Sequence, residues 1–395
     1  MLNHVAAISR LGTEDAFAVL NRADELTKQG KKIVNLGIGQ PDFSPAPHII
    51  EATLKALRDG PHGYSPPNGI PEIREAVSND IHINHQVEVN PENIMIVPGG
   101  KVTIFFAVIM FGEPGAEIIF PDPGFPIYRS LIEYSGAKPV PLKAREGNAF
   151  SLCAEEIGRL LSPSTRLIII NSPSNPTGAV TSIEEMEKLA SILDNHPQVA
   201  ILSDEIYDRI IFGDTYNRSF LTFENLRDRL IVLNGWSKTF AMTGWRLGYG
   251  VWPSSLIEHA TRLAINSYSC VNLAAQKAGI AALSGPQDNV EKMRKILDAR
   301  RQMIVPALNN LPGITCQKPL GAFYAFPNVS DTGLSSTAFQ KKLLEDTGVA
   351  TISGSSFGFH GEGYLRISYA NSIENIETAI SRIHKFLNQQ PSLGQ

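Results

Sequence analysis

Residues 234–250 read N-G-W-S-K-T-F-A-M-T-G-W-R-L-G-Y-G and place Lys238 eight residues before Arg246. The run just before it, R-L-I-V-L at 229–233, is short, apolar and β-branched, as a buried strand should be. A lysine just past such a strand can be stripped of water and lose proton affinity, which a Schiff-base nucleophile requires. An arginine stays charged and offers a planar fork suited to phosphate. One amine for an aldehyde and one guanidinium for a phosphate together describe pyridoxal 5'-phosphate (PLP). Taken singly, each residue also fits an ordinary place on the surface.

Other reactive types follow the same rule of position. Strands are expected at 94–97, 117–120, 167–170, 199–202 and 230–233, with helices near 102–111, 127–135, 183–194 and 256–266 between and after them. That alternation implies an α/β fold with a mostly parallel sheet sandwiched by helices. Ligands of such sheets sit beyond the carboxyl ends of the strands. Those ends deliver Gly99-Gly100-Lys101, Asp122 to Tyr128 with Phe125, Asn171 to Gly178 with Asn175, Asp204 to Tyr207, and Lys238. Two glycines opening a helix leave free backbone N–H groups for an anion. Lys101 is followed by Val102, so the turn is not a P-loop.

Toward the N-terminus the sequence predicts an arm, a helix at 16–29 stopped by Gly30, a short strand from Ile33, and helices at 49–58 and from about Pro71. Beyond about Ser284 a long charged helix at 287–308 precedes strand-like runs at 321–326 and 364–369 and a helix at 373–388. This tail reads as a smaller α+β domain. With 395 residues, more than one core is expected.

Composition narrows the function. A 43% hydrophobic and 19% charged chain is ordinary for a globular protein, and a net charge of -4 gives no reason to expect nucleic acid. Cys153, Cys270 and Cys316 lack metal spacing and read as reduced, and the nine histidines form no H-E-x-x-H pattern. The N-terminal ten residues have no secretory pattern, and the longest apolar run, 102–111, is too short to cross a bilayer. A cytoplasmic protein with no metal is the expectation.

Seven ordered motifs carry a resemblance over nearly the whole chain. They are G-I-G-Q-P-D-F at 37–43, Y-S-P-P-N-G-I-P at 64–71, P-G-G-K at 98–101, N-S-P-S-N-P-T-G at 171–178, S-D-E-I-Y at 203–207, S-K-T-F-A-M-T-G-W-R-L-G at 237–248 and Y-L-R-I-S-Y-A at 364–370. The chain thereby resembles the fold-type I, class I/II aminotransferases that use PLP, and most of all their bacterial aspartate-aminotransferase-like subgroup. The resemblance implies an N-terminal arm with part of the small domain at 1–45, a large cofactor domain at 46–284 whose mostly parallel sheet has seven strands, and a small α+β domain at 285–395. It implies that Lys238 holds the cofactor as a Schiff base (aldimine) and moves the proton at the substrate Cα. Asp204 would pair with the pyridinium nitrogen, and Tyr207 and Asn175 with the ring's phenolic oxygen. Phe125 would lie on the ring face. Gly99, Gly100, Lys101, Ser237 and Arg246 would surround the phosphate, joined by Tyr64 from the other subunit of a homodimer. Arg366 would clamp the substrate carboxylate with Asn175 and the backbone at Gly39.

The implied reaction moves the α-amino group of an L-amino acid to a 2-oxo acid, with 2-oxoglutarate expected, by ping-pong kinetics. A β-eliminating C–S lyase on the same scaffold is the alternative. A ligand-sensing regulator ranks lower, because no basic helix-turn-helix precedes Leu36. Three departures stand out. Gly235 occupies a position where many relatives have a phosphate-binding serine, so Ser237 or Thr239 is expected to compensate. Phe125 replaces a tryptophan. Glu14-Asp15 stand near the entrance where acid-specific relatives use small hydroxyl residues, while Lys101, which can approach a distal carboxylate, is present. These point opposite ways, so the donor stays open, with 13–17 and 266–270 expected to select its side chain.

Overall fold

In the computed structural model, residues 4–213, 215 and 218–389 are described. The chain enters through a 3-10 turn at Ala6–Arg10 and a helix at Asp15–Lys28, which ends where Gly30 takes a left-handed φ of 87°. A first short strand, β1 (Val34–Asn35), precedes helices at Pro47–Asp59 and Pro71–His85. Both helices open on a proline, whose missing N–H costs nothing in a first turn.

Seven strands then build the main sheet: β2 (Ile94–Val97), β3 (Glu117–Asp122), β4 (Lys138–Lys143), β5 (Thr165–Asn171), β6 (Ala200–Asp204), β7 (Leu230–Gly235) and β8 (Gly248–Val251). Their order is β2-β8-β7-β6-β5-β3-β4. All neighbours are parallel except that β8 runs against both β2 and β7. The expected mostly parallel, seven-stranded α/β sheet is therefore present. Side chains alternate across it: Ile94, Ile96, Ile168, Ile170, Ile201, Leu230 and Val232 join one core, and Met95, Val97, Leu167, Ile169, Leu202, Ile231 and Leu233 the other. Helix Pro71–His85 covers the first face with Ile73, Val77 and Ile81, one per helical turn. Helix Lys101–Phe111 covers the second with Ile104, Phe106, Ala107 and Val108. Both faces being covered is what made the strands read as continuous apolar runs.

Sequence patterning missed two of these strands. β4 carries Pro139 and Pro141, which remove ladder donors; it survives because it is the edge strand. β8 reads G-Y-G-V and looked like part of a glycine-rich turn, yet its glycines answer to contact. A Cβ on Gly248 would stand 2.6 Å from the Gly100 nitrogen.

The remaining strands are β9 (Tyr324–Ala325), β10 (Val349–Ala350), β11 (Ile352–Ser353) and β12 (Leu365–Ser368). β1 pairs in parallel with β10, and β11, β12 and β9 form an antiparallel sheet. Their core takes Met293, Leu297, Ile304 and Leu308 from helix Asp288–Asn309, and Ile376, Ala379, Ile383 and Phe386 from helix Ile373–Gln389. β1 thus delivers residues 37–40 from this smaller unit to the edge of the large sheet.

Candidate active site

The carboxyl ends of β2, β3, β5, β6 and β7 face one cavity of about 290 Å3. β8 runs the other way, so the segment before it lies at that same edge. This is why Lys238, after β7, and Arg246, before β8, share one rim. The register pairs Gly235 with Gly248 and closes the loop between them. Gly39, Gly100, Lys101, Phe125, Asn175, Asp204, Tyr207, Ser237, Lys238, Arg246 and Arg366 all line the cavity.

Lys238 is partly buried, and its Nζ donates to the Gly39 carbonyl at 2.5 Å. Loss of water pulls its pKa down to about 7, helped by the positive charges of Arg366, Arg246 and Lys101 and opposed by Asp204. Asp204 is buried; burial pushes it up to about 6, while the Tyr128 hydroxyl, donating to Oδ2 at 2.7 Å, holds it down. Asn171 braces this corner, its Nδ2 reaching the Asp204 carbonyl at 3.0 Å and its Oδ1 accepting from the Asn175 nitrogen at 2.8 Å.

Arg366 is 4% exposed and held on two sides. Its Nη1 donates to Asn175 Oδ1 at 3.0 Å and its Nη2 to the Gly37 carbonyl at 2.6 Å. The rings of Tyr324 and Phe357 sandwich the guanidinium at 4.7 and 4.8 Å. Its Nε is buried with no partner among the described residues. A buried charged donor left open asks for an anion. The carbonyl on Arg366 is that of Gly37, and the Gly39 carbonyl accepts from Lys238.

Arg246 adopts φ 54°, in the left-handed region, and its Nη1 donates to the Thr243 carbonyl at 2.9 Å. Its guanidinium lies directly over Gly99, itself at φ 93°; a Cβ at that glycine would overlap Nη2. Gly99 therefore shapes the rim beneath Arg246, while Gly100 lines the cavity. Gly235 has a steric reason for lacking a hydroxyl, since a Cβ there would come within 2.7 Å of the Gly248 Cα. Of the two compensating hydroxyls expected, Ser237 lines the cavity. Thr239 turns instead toward a separate cleft with Phe43 and Met293, because the chain bends between them. Thr243, which sequence reasoning passed over, does line the active cavity.

At the mouth Lys101 forms an ion pair with Glu14 and stands 5.2 Å over the Phe125 ring. Ala16, Phe17, Leu20 and Ile38 make the adjoining wall. Tyr64 is 93% exposed and does not line this cavity. Tyr207 is buried with its hydroxyl 2.8 Å from that of Tyr324, a residue the sequence marked only as part of a strand. Tyr128 was likewise legible only as a ring near Phe125.

The lining holds four cations, Lys101, Lys238, Arg246 and Arg366, against two carboxylates, Glu14 and Asp204. Such a site suits anions: a phosphate between Gly100 and Arg246, and a carboxylate at Arg366. The residues present fit PLP: Gly100 and Arg246 would suit its phosphate, Phe125 its ring face and Asp204 its ring nitrogen. Among the described residues no His, Cys, Asp or Glu cluster could hold a metal, and no helix is long and apolar enough to cross a membrane.

Comparison with known proteins places the chain in a class. Residues 31–383 match the family described as aminotransferase class I and II. The chain belongs to that family and is an aminotransferase, one of a group whose members use PLP. It is 38% identical over 363 residues to an aspartate aminotransferase of Pyrococcus abyssi, covering 91% of this chain and 93% of that one. It is also 38% identical over 361 residues to aromatic-amino-acid aminotransferase 2 of Thermococcus litoralis, covering 91% and 92%. The solved aspartate aminotransferase of Rhizobium meliloti superposes with a TM-score of 0.94 at 31% identity, covering 98% of this chain and all of the other.

Proposed function

We propose that this chain binds PLP on Lys238 and, in alternating half-reactions, moves the α-amino group of an L-amino acid to 2-oxoglutarate. The observation that carries the reading is the meeting of Lys238, Asp204 and Arg366 in one cavity whose rim holds Arg246. The cofactor supplies an electron sink for the substrate's Cα carbanion. The chain's own groups do the rest. Arg366 fixes the α-carboxylate and so points the Cα–H bond toward Lys238. Lys238, whose lowered pKa of about 7 leaves a substantial neutral fraction at neutral pH, takes the Cα proton and returns it one atom along. Asp204 stays ionised beside a cation on the ring nitrogen, which lowers it from the value burial alone imposes. Tyr207 and Asn175 would face the phenolic oxygen, Phe125 would cover the ring, and Gly99, Gly100, Lys101, Ser237 and Arg246 would surround the phosphate. Tyr64 reaches the phosphate of a second subunit, which makes the working unit a homodimer in the cytoplasm.

On the donor, the mouth favours an uncharged side chain. Its wall is apolar, and Glu14 already neutralises Lys101. The distal carboxylate of 2-oxoglutarate competes with Glu14 for that lysine.

The test is the visible spectrum of the purified protein before and after a panel of amino acids. A band that bleaches with a donor and returns with 2-oxoglutarate supports the reading and names the donor. Pyruvate and ammonia with no need for an oxo acid would give the reaction to β-elimination instead. No band after PLP is added would remove Lys238 from the centre of the site.

A further inference from the structure

We infer that Tyr324 is a positioning residue that carries the state of the carboxylate clamp at Arg366 to Tyr207. Three contacts meet on this one side chain, which is 1% exposed on β9. Its hydroxyl lies 2.8 Å from that of Tyr207. Its ring face lies 4.7 Å under the Arg366 guanidinium. Its hydroxyl also fills the space beside Gly39, where a Cβ would come within 2.5 Å, and the Gly39 carbonyl receives the Lys238 amine.

Proton count sets the direction of the hydrogen bond. Burial keeps both phenols protonated, since it raises each above its ordinary range. Only one of the two can donate across the single oxygen–oxygen contact. Tyr207 can offer its proton to the cavity only when Tyr324 donates to it. Arg366 draws down the proton affinity of both phenols, and its direct contact with the Tyr324 ring makes that phenol the favoured donor. A chain of two hydroxyl donors is stronger at its far end than a single one. When a carboxylate neutralises Arg366, Tyr324 becomes a weaker donor, and Tyr207 in turn holds a negative oxygen less well. Carboxylate binding is thereby felt at the ring's phenolic oxygen before any chemistry occurs.

This rests on the placement of PLP on Lys238 proposed above, and the test separates the two. The protein loaded with PLP is titrated with pH, following its visible band, with and without 3-phenylpropionate, which has a carboxylate but no amine to react. If the wild type shows no pH-dependent band, the cofactor placement fails, and the Tyr324 inference with it. Given a band, Tyr324→Phe keeps the ring on Arg366 and removes only the hydroxyl. The expected result is a midpoint raised by about half a unit or more, roughly threefold in proton affinity, and a response to 3-phenylpropionate cut by at least half. The double variant with Tyr207→Phe should match Tyr207→Phe alone, because both act through one bond. An unchanged midpoint, an undiminished response to the carboxylate, or additive effects in the double variant would each overturn the inference. Equal melting temperatures for wild type and Tyr324→Phe guard against a trivial loss of packing.

Discussion

Lys238 feels three other cations, and its lowered proton affinity has a consequence for the empty protein. In the unfolded chain its pKa is 10.5; in the folded chain it is about 7. Between those values the unfolded state binds the extra proton, so this residue's contribution to stability improves as pH rises from 7 toward 10. We expect cofactor-free Lys238→Met to melt higher than cofactor-free wild type at pH 7, with the gap closing by pH 10. A constant gap in thermal unfolding across that range would contradict the assignment. The same substitution should abolish transamination in the loaded protein. At the mouth, Glu14→Gln should free Lys101 and lower KM for 2-oxoglutarate and aspartate several-fold, with little change for a leucine or phenylalanine donor. Half-reaction kinetics for each compound would decide it, and equal effects on both classes would count against the ion pair as a selector. At this scale the sequence was informative about residues that carry chemistry themselves. It said little about Tyr128 or Tyr324, whose importance comes from what they touch 76 and 117 residues away, or about Phe357, whose ring meets the Arg366 guanidinium.

The elements that position these side chains depend on close backbone approach as much as on hydrophobic pattern. Two-sided apolar strands such as β5 and β6 were legible because residues 167–170 of the first and all of the second are buried. β4, with its prolines, and β8, with its glycines, were not, since propensity opposes both and tertiary contact wins. Gly99 is the sharpest case. Gly99→Ala would force the Arg246 guanidinium off its seat and strain a backbone at φ 93°. The expected outcome is PLP affinity reduced by about tenfold, on the order of 1.4 kcal/mol, with the fold retained. Fluorescence titration of the cofactor-free variant would measure it; unchanged affinity would mean Arg246 has no part in holding phosphate. A different kind of element prediction concerns the helix at Leu273–Ser284, capped by Asn272, whose side chain accepts from the Ala275 nitrogen at 3.0 Å. Asn272→Ala should cost about 1 kcal/mol in denaturant unfolding without touching the spectrum.

Across the whole molecule, two cores meet at the cavity, one beneath the large sheet and one around β9–β12. Contacts tie them together: the backbone at Phe359 and His360 donates to Asp122 at the end of β3. Tyr64, turned outward, extends the argument to a second copy. Mixing Lys238→Ala subunits with Tyr64→Ala subunits should yield more activity than the two separately, because one site in each mixed dimer is then complete. Activity equal to the sum would place Tyr64 outside any shared site. The alternation of strands and helices forecast the large unit, and the runs at 321–326 and 364–369 anticipated β9 and β12, whereas β10 and β11, two residues each, left too little pattern to read. The hairpin of β7 and β8 has a last consequence. Its two glycines zip the loop shut at Gly235 and Gly248, so Lys238 and Arg246 belong to a single stiff bracket within the large sheet. Arg366 and Tyr324 stand on the other unit. Any breathing between the units therefore opens the door to the passing amino acid while leaving the tool bolted to the bench, and release of product need not release what made it.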